Sequence, residues 1–159
     1  MKIRQAVEPD LDAMWAIFQS VIATRDTLPF ADSLDRATFR THWFGSQPSW
    51  VAEDDHGLLG MYRAGANYPD LGSHVASATY LVHPAAQGRG IGRSLVEHSL
   101  AQARSAGFLA MQFNYVVSTN SVAVRLYEKL GFRIAGTLPR AFRHGRLGLV
   151  DVYVMHRFL

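Results

Sequence analysis

Apolar residues recur at helical spacing in three stretches of this chain and at strand spacing between them. Leu11, Met14, Trp15, Phe18, Val21 and Ile22 share one helical face. Glu8-Pro9-Asp10 opens that helix, because proline suits the first helical position and acids suit the first turn. Ile91, Leu95, Val96, Ser99, Leu100 and Ala103 mark a second amphipathic helix, ended by Gly107. Val122, Ala123, Leu126, Tyr127 and Leu130 mark a shorter one between the cap cluster Ser118-Thr119-Asn120 and Gly131. Asp32-Ser33 predicts the cap of a further helix running to about Trp43.

The intervening segments read as strands. Residues 2–6 form a short first strand, and residues 50–53 and 58–65 form a hairpin around Asp54-Asp55-His56-Gly57. A loop at 67–72 leads to a fourth strand at 74–82. A fifth, from 108 or 109 to 117, follows a helix and so runs parallel to the fourth. Residues 133–137 give a sixth strand, 138–148 a basic loop, and 150–158 a last strand. The element order is strand, two helices, three strands, helix, strand, helix, two strands.

Chemistry concentrates where the fourth strand meets the second amphipathic helix. After His83-Pro84, three glycines fall within five positions, Gly88, Gly90 and Gly92, and the helix pattern begins at once. A helix start offers unpaired N–H groups and the positive end of the macrodipole, so it suits a phosphate. Glycines let that phosphate approach the backbone, and Arg89 and Arg93 add charge. A P-loop does not fit, since no lysine follows a glycine here. A dinucleotide fingerprint fits poorly, because Arg93 stands where its third glycine belongs. The expected ligand carries a pyrophosphate.

Composition narrows the setting. The 159 residues suit one domain, 1–159, with 48% apolar and 18% charged residues. No apolar run nears the ~18 residues of a membrane span, and a signal-peptide core is lacking, so a cytoplasmic location and no membrane partner are expected. The absence of cysteine excludes disulfides, thiolate metal sites and a cysteine-bound acyl group. The histidines lack ligand spacing, so no metal is expected. The charge of +3 is spread over scattered arginines with two lysines, which does not suit a nucleic-acid module; a polyanionic cofactor accounts for it.

Gln87, Gly90 and Gly92 fit the pattern Gln/Arg-x-x-Gly-x-Gly/Ala, which resembles the acetyl-CoA loop of the GNAT superfamily of N-acetyltransferases. Residues 114–132 resemble that family again, with Asn114, Asn120, Ala123, Tyr127, Gly131 and Phe132 at its spacing. The element order matches throughout. Membership implies an α/β (α+β) GNAT fold, with a mixed, mostly antiparallel sheet of about seven strands splayed between the fourth and fifth and flanked by about four helices.

The resemblance implies acetyl-CoA as co-substrate and direct transfer of its acetyl group to an amine. It implies that the backbone of Leu81 and Val82 pairs with the pantetheine arm, and that the Val82 N–H polarises the thioester carbonyl. Gln87, Gly88, Arg89, Gly90, Ile91, Gly92, Arg93 and Ser94 would surround the pyrophosphate. Asn120 would contact the arm as well as cap its helix, and Tyr127 would protonate the departing thiolate, a task that suits a phenol of pKa about 10. No base is singled out among Glu53, Asp54, His74 and His83.

The run from Asn114 to Asn120 and the Gly-Phe segment after it resemble a branch acting on small amines, the phosphinothricin and azetidine-carboxylate type. That likeness implies a role for Asn114 in acceptor handling and catalysis. Arg25, Asp26 and Phe30, in the loop between the first two helices, would wall the acceptor site. Arg140, Arg143, His144 and Arg146 would border it and could pair with an acceptor carboxylate. Other readings are acetylation of a protein N-terminus or lysine, and an acyl-CoA-binding regulator without turnover. Apolar strand edges near the C-terminus would permit a homodimer.

Overall fold

The computed structural model describes residues 1–159. Its strands are β1 (Lys2–Gln5), β2 (Ser49–Asp54), β3 (Gly57–Ala66), β4 (Val75–Val82), β5 (Ala110–Val117), β6 (Arg133–His144) and β7 (Gly148–Phe158). Its helices are α1 (Leu11–Ile22), α2 (Arg36–Trp43), α3 (Ile91–Ser105) and α4 (Ser121–Lys129). The strands form one mixed sheet in the order β1-β2-β3-β4-β5-β7-β6, parallel between β4 and β5 and antiparallel elsewhere. No helix is long and apolar enough to cross a membrane.

Strand alternation sorts the sheet residues onto two faces. Val51, Met61 and Leu81 pack with Met14, Phe18 and Phe39 beneath α1 and α2. On the other face Ala76, Met111 and Phe113 meet Val96 and Leu100 of α3, with Tyr127 of α4 at the margin. Gly60 permits the close approach of α3 to β3. A Cβ there would lie 2.8 Å from the Leu81 carbonyl oxygen and 3.1 Å from Leu95 Cδ1.

Two sequence expectations need correction. The cap of α2 is Asp35 rather than Asp32-Ser33, since the Asp35 carboxylate accepts the Thr38 N–H at 2.8 Å, the three-residue reach of an N-cap. The segment expected as a basic loop is mostly strand: β6 runs on to His144, leaving a turn of only residues 145–147. β6 is the sheet edge, so it accommodates Pro139 and an irregular register between Leu138 and Phe142, where Arg140 takes φ +50° and its N–H donates to Asp151.

Candidate active site

β4 and β5 are bonded only at Val75–Ala110 and Ala76–Met111. Beyond those pairs the strands separate, leaving the edge of β4 toward β5 without a strand partner. The register shows which groups that edge offers. Val82 faces Gly60, and the next bond runs from the His83 N–H to the Leu59 carbonyl at 2.8 Å. In an antiparallel ladder this makes Val82–Gly60 a non-hydrogen-bonded pair. Val82 and Tyr80 therefore turn their N–H and C=O toward the opening, while those of Leu81 are taken by β3.

Past β4 the chain turns through a short 3-10 segment, Pro84–Ala86, held by the Ala85 N–H donating to His83 Nδ1 at 3.1 Å. Gly88 and Gly90 then take φ +76° and +79°, a left-handed conformation in which a Cβ is strained. None of the backbone N–H groups from Gly88 to Arg93 finds an acceptor in the chain, and Gly90 caps α3 without a side chain. A Cβ on Gly92 would touch Val82 and Leu126, each at 3.7 Å, so this cradle lies against the end of β4 and α4. A chain of donors thus leads from the helix start onto the open strand edge.

Arg89 and Arg93 are already paired, Arg89 with Asp54 at 3.0 Å and Arg93 with Glu97 at 2.8 Å. Arg89 and the His56 N–H hold the Asp54 carboxyl below the usual carboxylate range, the His56 bond contributing more. Of the four base candidates, Asp54 is thus engaged by Arg89, Glu53 by Arg4 at 2.8 Å, and His83 by the turn. His74 is exposed just before β4 begins, at the end of the strand away from Val82.

Asn120 caps α4, its Oδ1 accepting the Ala123 N–H at 3.3 Å, which leaves its amide NH2 free of the cap. Seven residues on, the Tyr127 ring packs 4.6 Å from the Phe113 ring centroid and 6.3 Å from that of Tyr80. Burial pushes its phenol well above the ordinary range, so the hydroxyl stays protonated at neutral pH.

The other face of the opening is polar. Asn114 Nδ2 donates to Asn67 Oδ1 at 2.6 Å, Asn67 Nδ2 donates back to Asn114 Oδ1 at 3.2 Å, and Gln112 Nε2 donates to the same Asn114 oxygen at 2.8 Å. A register shift in β5 between Phe113 and Val116 frees Asn114 from the ladder with β7. Beside this cluster lies a cavity of about 600 Å³ lined by Arg25, Leu28, Phe30, Tyr115, Phe142 and Arg143 among others. The loop between α1 and α2 is fixed over it by the Gly145 N–H donating to the Arg25 carbonyl at 2.8 Å.

Arg25 and Phe30 therefore share one cavity, with Arg143, while Asp26 does not line it. Asp26 instead accepts the Thr24 hydroxyl at the end of α1. His144 is buried, its Nδ1 accepting the N–H groups of Arg146 and Leu147 to close the β6–β7 turn; Arg140 and Arg146 are exposed and away from the cavity lining. Sequence reasoning did not single out Asn67, Gln112, Tyr115 or Phe142. A loop asparagine and strand aromatics carry no local signal, but the bulge that exposes Asn114 also turns Tyr115 toward the α1–α2 loop.

Residues 14–132 match the family described as Acetyltransferase (GNAT) family. The N-acetyltransferase aca1 of Schizosaccharomyces pombe is 40% identical over 98 residues, 61% of this chain and 47% of that one. The chain thus spans about half the length of that relative. YwnH of Bacillus subtilis, which carries a provisional phosphinothricin acetyltransferase name, is 28% identical over 145 residues, covering 87% of this chain and 88% of its own. The structure of a GCN5-related N-acetyltransferase from Kribbella flavida superposes with a TM-score of 0.95 at 39% identity, over 99% of this chain and 97% of that one.

Proposed function

This chain belongs to the GNAT acetyltransferase family, and we propose that it transfers the acetyl group of acetyl-CoA directly to the amine of a small, amino-acid-like molecule. The observation that carries this reading is the continuity of the site: a cradle of free N–H groups at Gly88–Arg93, an unpaired edge on β4, and a cavity of about 600 Å³ on the far face.

The thioester supplies an activated carbonyl, and the chain's own groups do the rest. The cradle N–H groups, with Gln87, Arg89, Arg93 and Ser94 around them, hold the pyrophosphate; Gly88, Gly90 and Gly92 let it approach, and Ile91 anchors the helix start in the core. Tyr80 and Val82 offer backbone donors and acceptors to the pantetheine amides, with Leu81 tying the strand to β3, and the Asn120 NH2 adds one further contact. The Val82 N–H lies where it can polarise the carbonyl oxygen. Tyr127, kept protonated by burial, donates to the sulfur as the C–N bond forms and the C–S bond breaks, and the proton the amine sheds in becoming an amide leaves to solvent, from which the phenol is restored.

On the acceptor side, Asn114 orients the amine within its carboxamide cluster, and Phe30 and Arg25 wall the cavity. Asp26 acts on that wall at one remove, through the end of α1. Holding amine and thioester in one geometry supplies much of the rate. The loop fixed by Gly145 supports a small acceptor over an extended peptide, since a peptide groove needs that side open. The full-length relation to YwnH supports the same class.

The test is thiol release from acetyl-CoA with a panel of amino acids, toxic analogues, polyamines and short peptides, in a protein that has no thiol of its own. Release with an amino-acid-like amine is the expected result. Release only with peptides overturns the small-acceptor reading, and failure to bind acetyl-CoA overturns the whole.

A further inference from the structure

Arg63 is one of eight arginines without a carboxylate partner, and among them it alone has a buried guanidinium nitrogen with no hydrogen bond. Arg4, Arg25, Arg36, Arg40, Arg89 and Arg93 each pair with a carboxylate. Arg63 is half-buried, and its Nε is wholly buried without a hydrogen-bond partner. Burial holds its guanidinium below the ordinary range, with no neighbouring acid to counter the effect. A buried N–H without a partner is costly, and no acid of the chain stands beside it, so the guanidinium suits an anion from outside the chain.

Its position says which anion. Arg63 pairs with Thr79 across β3 and β4, so it sits one strand spacing, about 5 Å, from the strand whose far edge opens toward β5. Its side chain alternates with Tyr62 and therefore shares the α1–α2 face with Met61. There it lines an open cleft of about 490 Å³ with Thr38, Thr41, His42, Gly45 and Ser46. No carboxylate lines this cleft. His42 is held below the ordinary histidine range by partial burial and by the Arg63 charge, so it is neutral at pH 7 and leaves the guanidinium as the cleft's formal charge. The His42 ring lies 6.5 Å, edge-on, from Phe30, which lines the acceptor cavity, so the two hollows share a wall.

We infer that Arg63 recognises the carboxylate of the acceptor, making this a transferase for amines that carry an acid group. The inference rests on the proposed acetyl transfer to a small amine and specifies its substrate class. A planar guanidinium suits a carboxylate through two parallel N–H donors, with the Ser46 hydroxyl free to add a third. Of the arginines expected from sequence to do this, Arg140 and Arg146 are exposed and away from the acceptor cavity, and Arg143, which lines that cavity, is exposed and has no buried donor left without a partner.

The experiment compares wild type, Arg63→Gln and Arg63→Lys with an amino acid and with the amine that remains when its carboxylate is removed. Wild type is expected to prefer the amino acid. Arg63→Gln raises KM for the amino acid about 10- to 100-fold, leaves kcat and the decarboxylated amine nearly unchanged, and Arg63→Lys restores part of the loss. Acetyl-CoA affinity and Tm, measured alongside, stay close to wild type. Equal KM values in wild type and Arg63→Gln overturn the proposal, as does an equal loss with both amines. If wild type acetylates only amines without a carboxylate, the Arg63 assignment falls and acetyl transfer stands. If acetyl-CoA does not bind at all, acetyl transfer falls. The carboxylate site is then read from the Tm shift that amino acids give in wild type: loss of that shift in Arg63→Gln supports it, and no shift in wild type overturns it.

Discussion

Asn67 and Asn114 pair reciprocally, the amide of each donating to the carbonyl of the other at 3.2 and 2.6 Å. The pair ties the end of β3 to the bulged segment of β5 across the opening, and Gln112 fixes which end of Asn114 is the acceptor. In the proposed role of Asn114, an amine that displaces one of these bonds meets a preset partner, because the remaining bonds hold the carboxamide in place.

Replacing Asn114 with Ala is expected to lower kcat/KM for the amine about 10- to 100-fold, the loss of one or two oriented hydrogen bonds. The KM for acetyl-CoA should not move. Asn67→Ala should act in the same direction and more weakly, since it orients Asn114 without facing the amine. Steady-state kinetics with each substrate varied in turn separates these outcomes.

Tyr127→Phe keeps the ring packing against Phe113 and removes only the hydroxyl. kcat should fall about 100- to 10,000-fold, the range of a lost general acid, while the dissociation constant for acetyl-CoA stays unchanged by calorimetry. Unaltered turnover would remove the phenol from the chemistry.

Two glycines on the same path should fail differently. Gly60→Ala drives a Cβ into the Leu81 carbonyl and the Leu95 side chain, with an expected cost of about 1–3 kcal/mol and a lower Tm. Gly90→Ala meets no neighbour, but φ +79° costs about 1–2 kcal/mol for a residue with a Cβ. Its larger effect should be on acetyl-CoA KM, because the methyl group obstructs the cradle.

Stability should decline in alkali. Tyr62, Tyr80 and Tyr127 all have phenols raised above their ordinary value of about 10, in each case chiefly by burial. Above pH 10 the unfolded chain releases these protons while the folded chain retains them, so the unfolded state binds fewer and stability falls as pH rises. Below pH 10 the contribution is complete. Denaturant titrations at pH 8, 10 and 11 should show the loss beginning near pH 10, and Tyr62→Phe should reduce its slope.

Much of this arrangement is legible in the sequence. The period of α1, α3 and α4, the hairpin of β2 and β3 and the glycine turn all arise from neighbours within a few residues, where propensity and pattern act directly. The α2 cap is not legible in the sequence, because Asp32-Ser33 and Asp35 offer similar local chemistry, and only the backbone path decides which carboxylate reaches an N–H. The full length of β6 is not legible either, because Pro139 and four basic residues read as loop. An edge strand tolerates both, and edge position is not a local property.

The sequence by itself determined that a glycine-rich turn joins the fourth strand to a helix start, that the chain follows the GNAT element order, and that Asn120 and Tyr127 share a helix near it. Those features depend on spacing along one segment. The tertiary structure decided that β7 inserts between β5 and β6, that β4 and β5 part after two pairs, that Asn114 finds Asn67, and that Arg63 finds no acid. Each depends on which distant segment arrives at a given place, and residues 47 positions apart in sequence carry no mutual mark until packing brings them together.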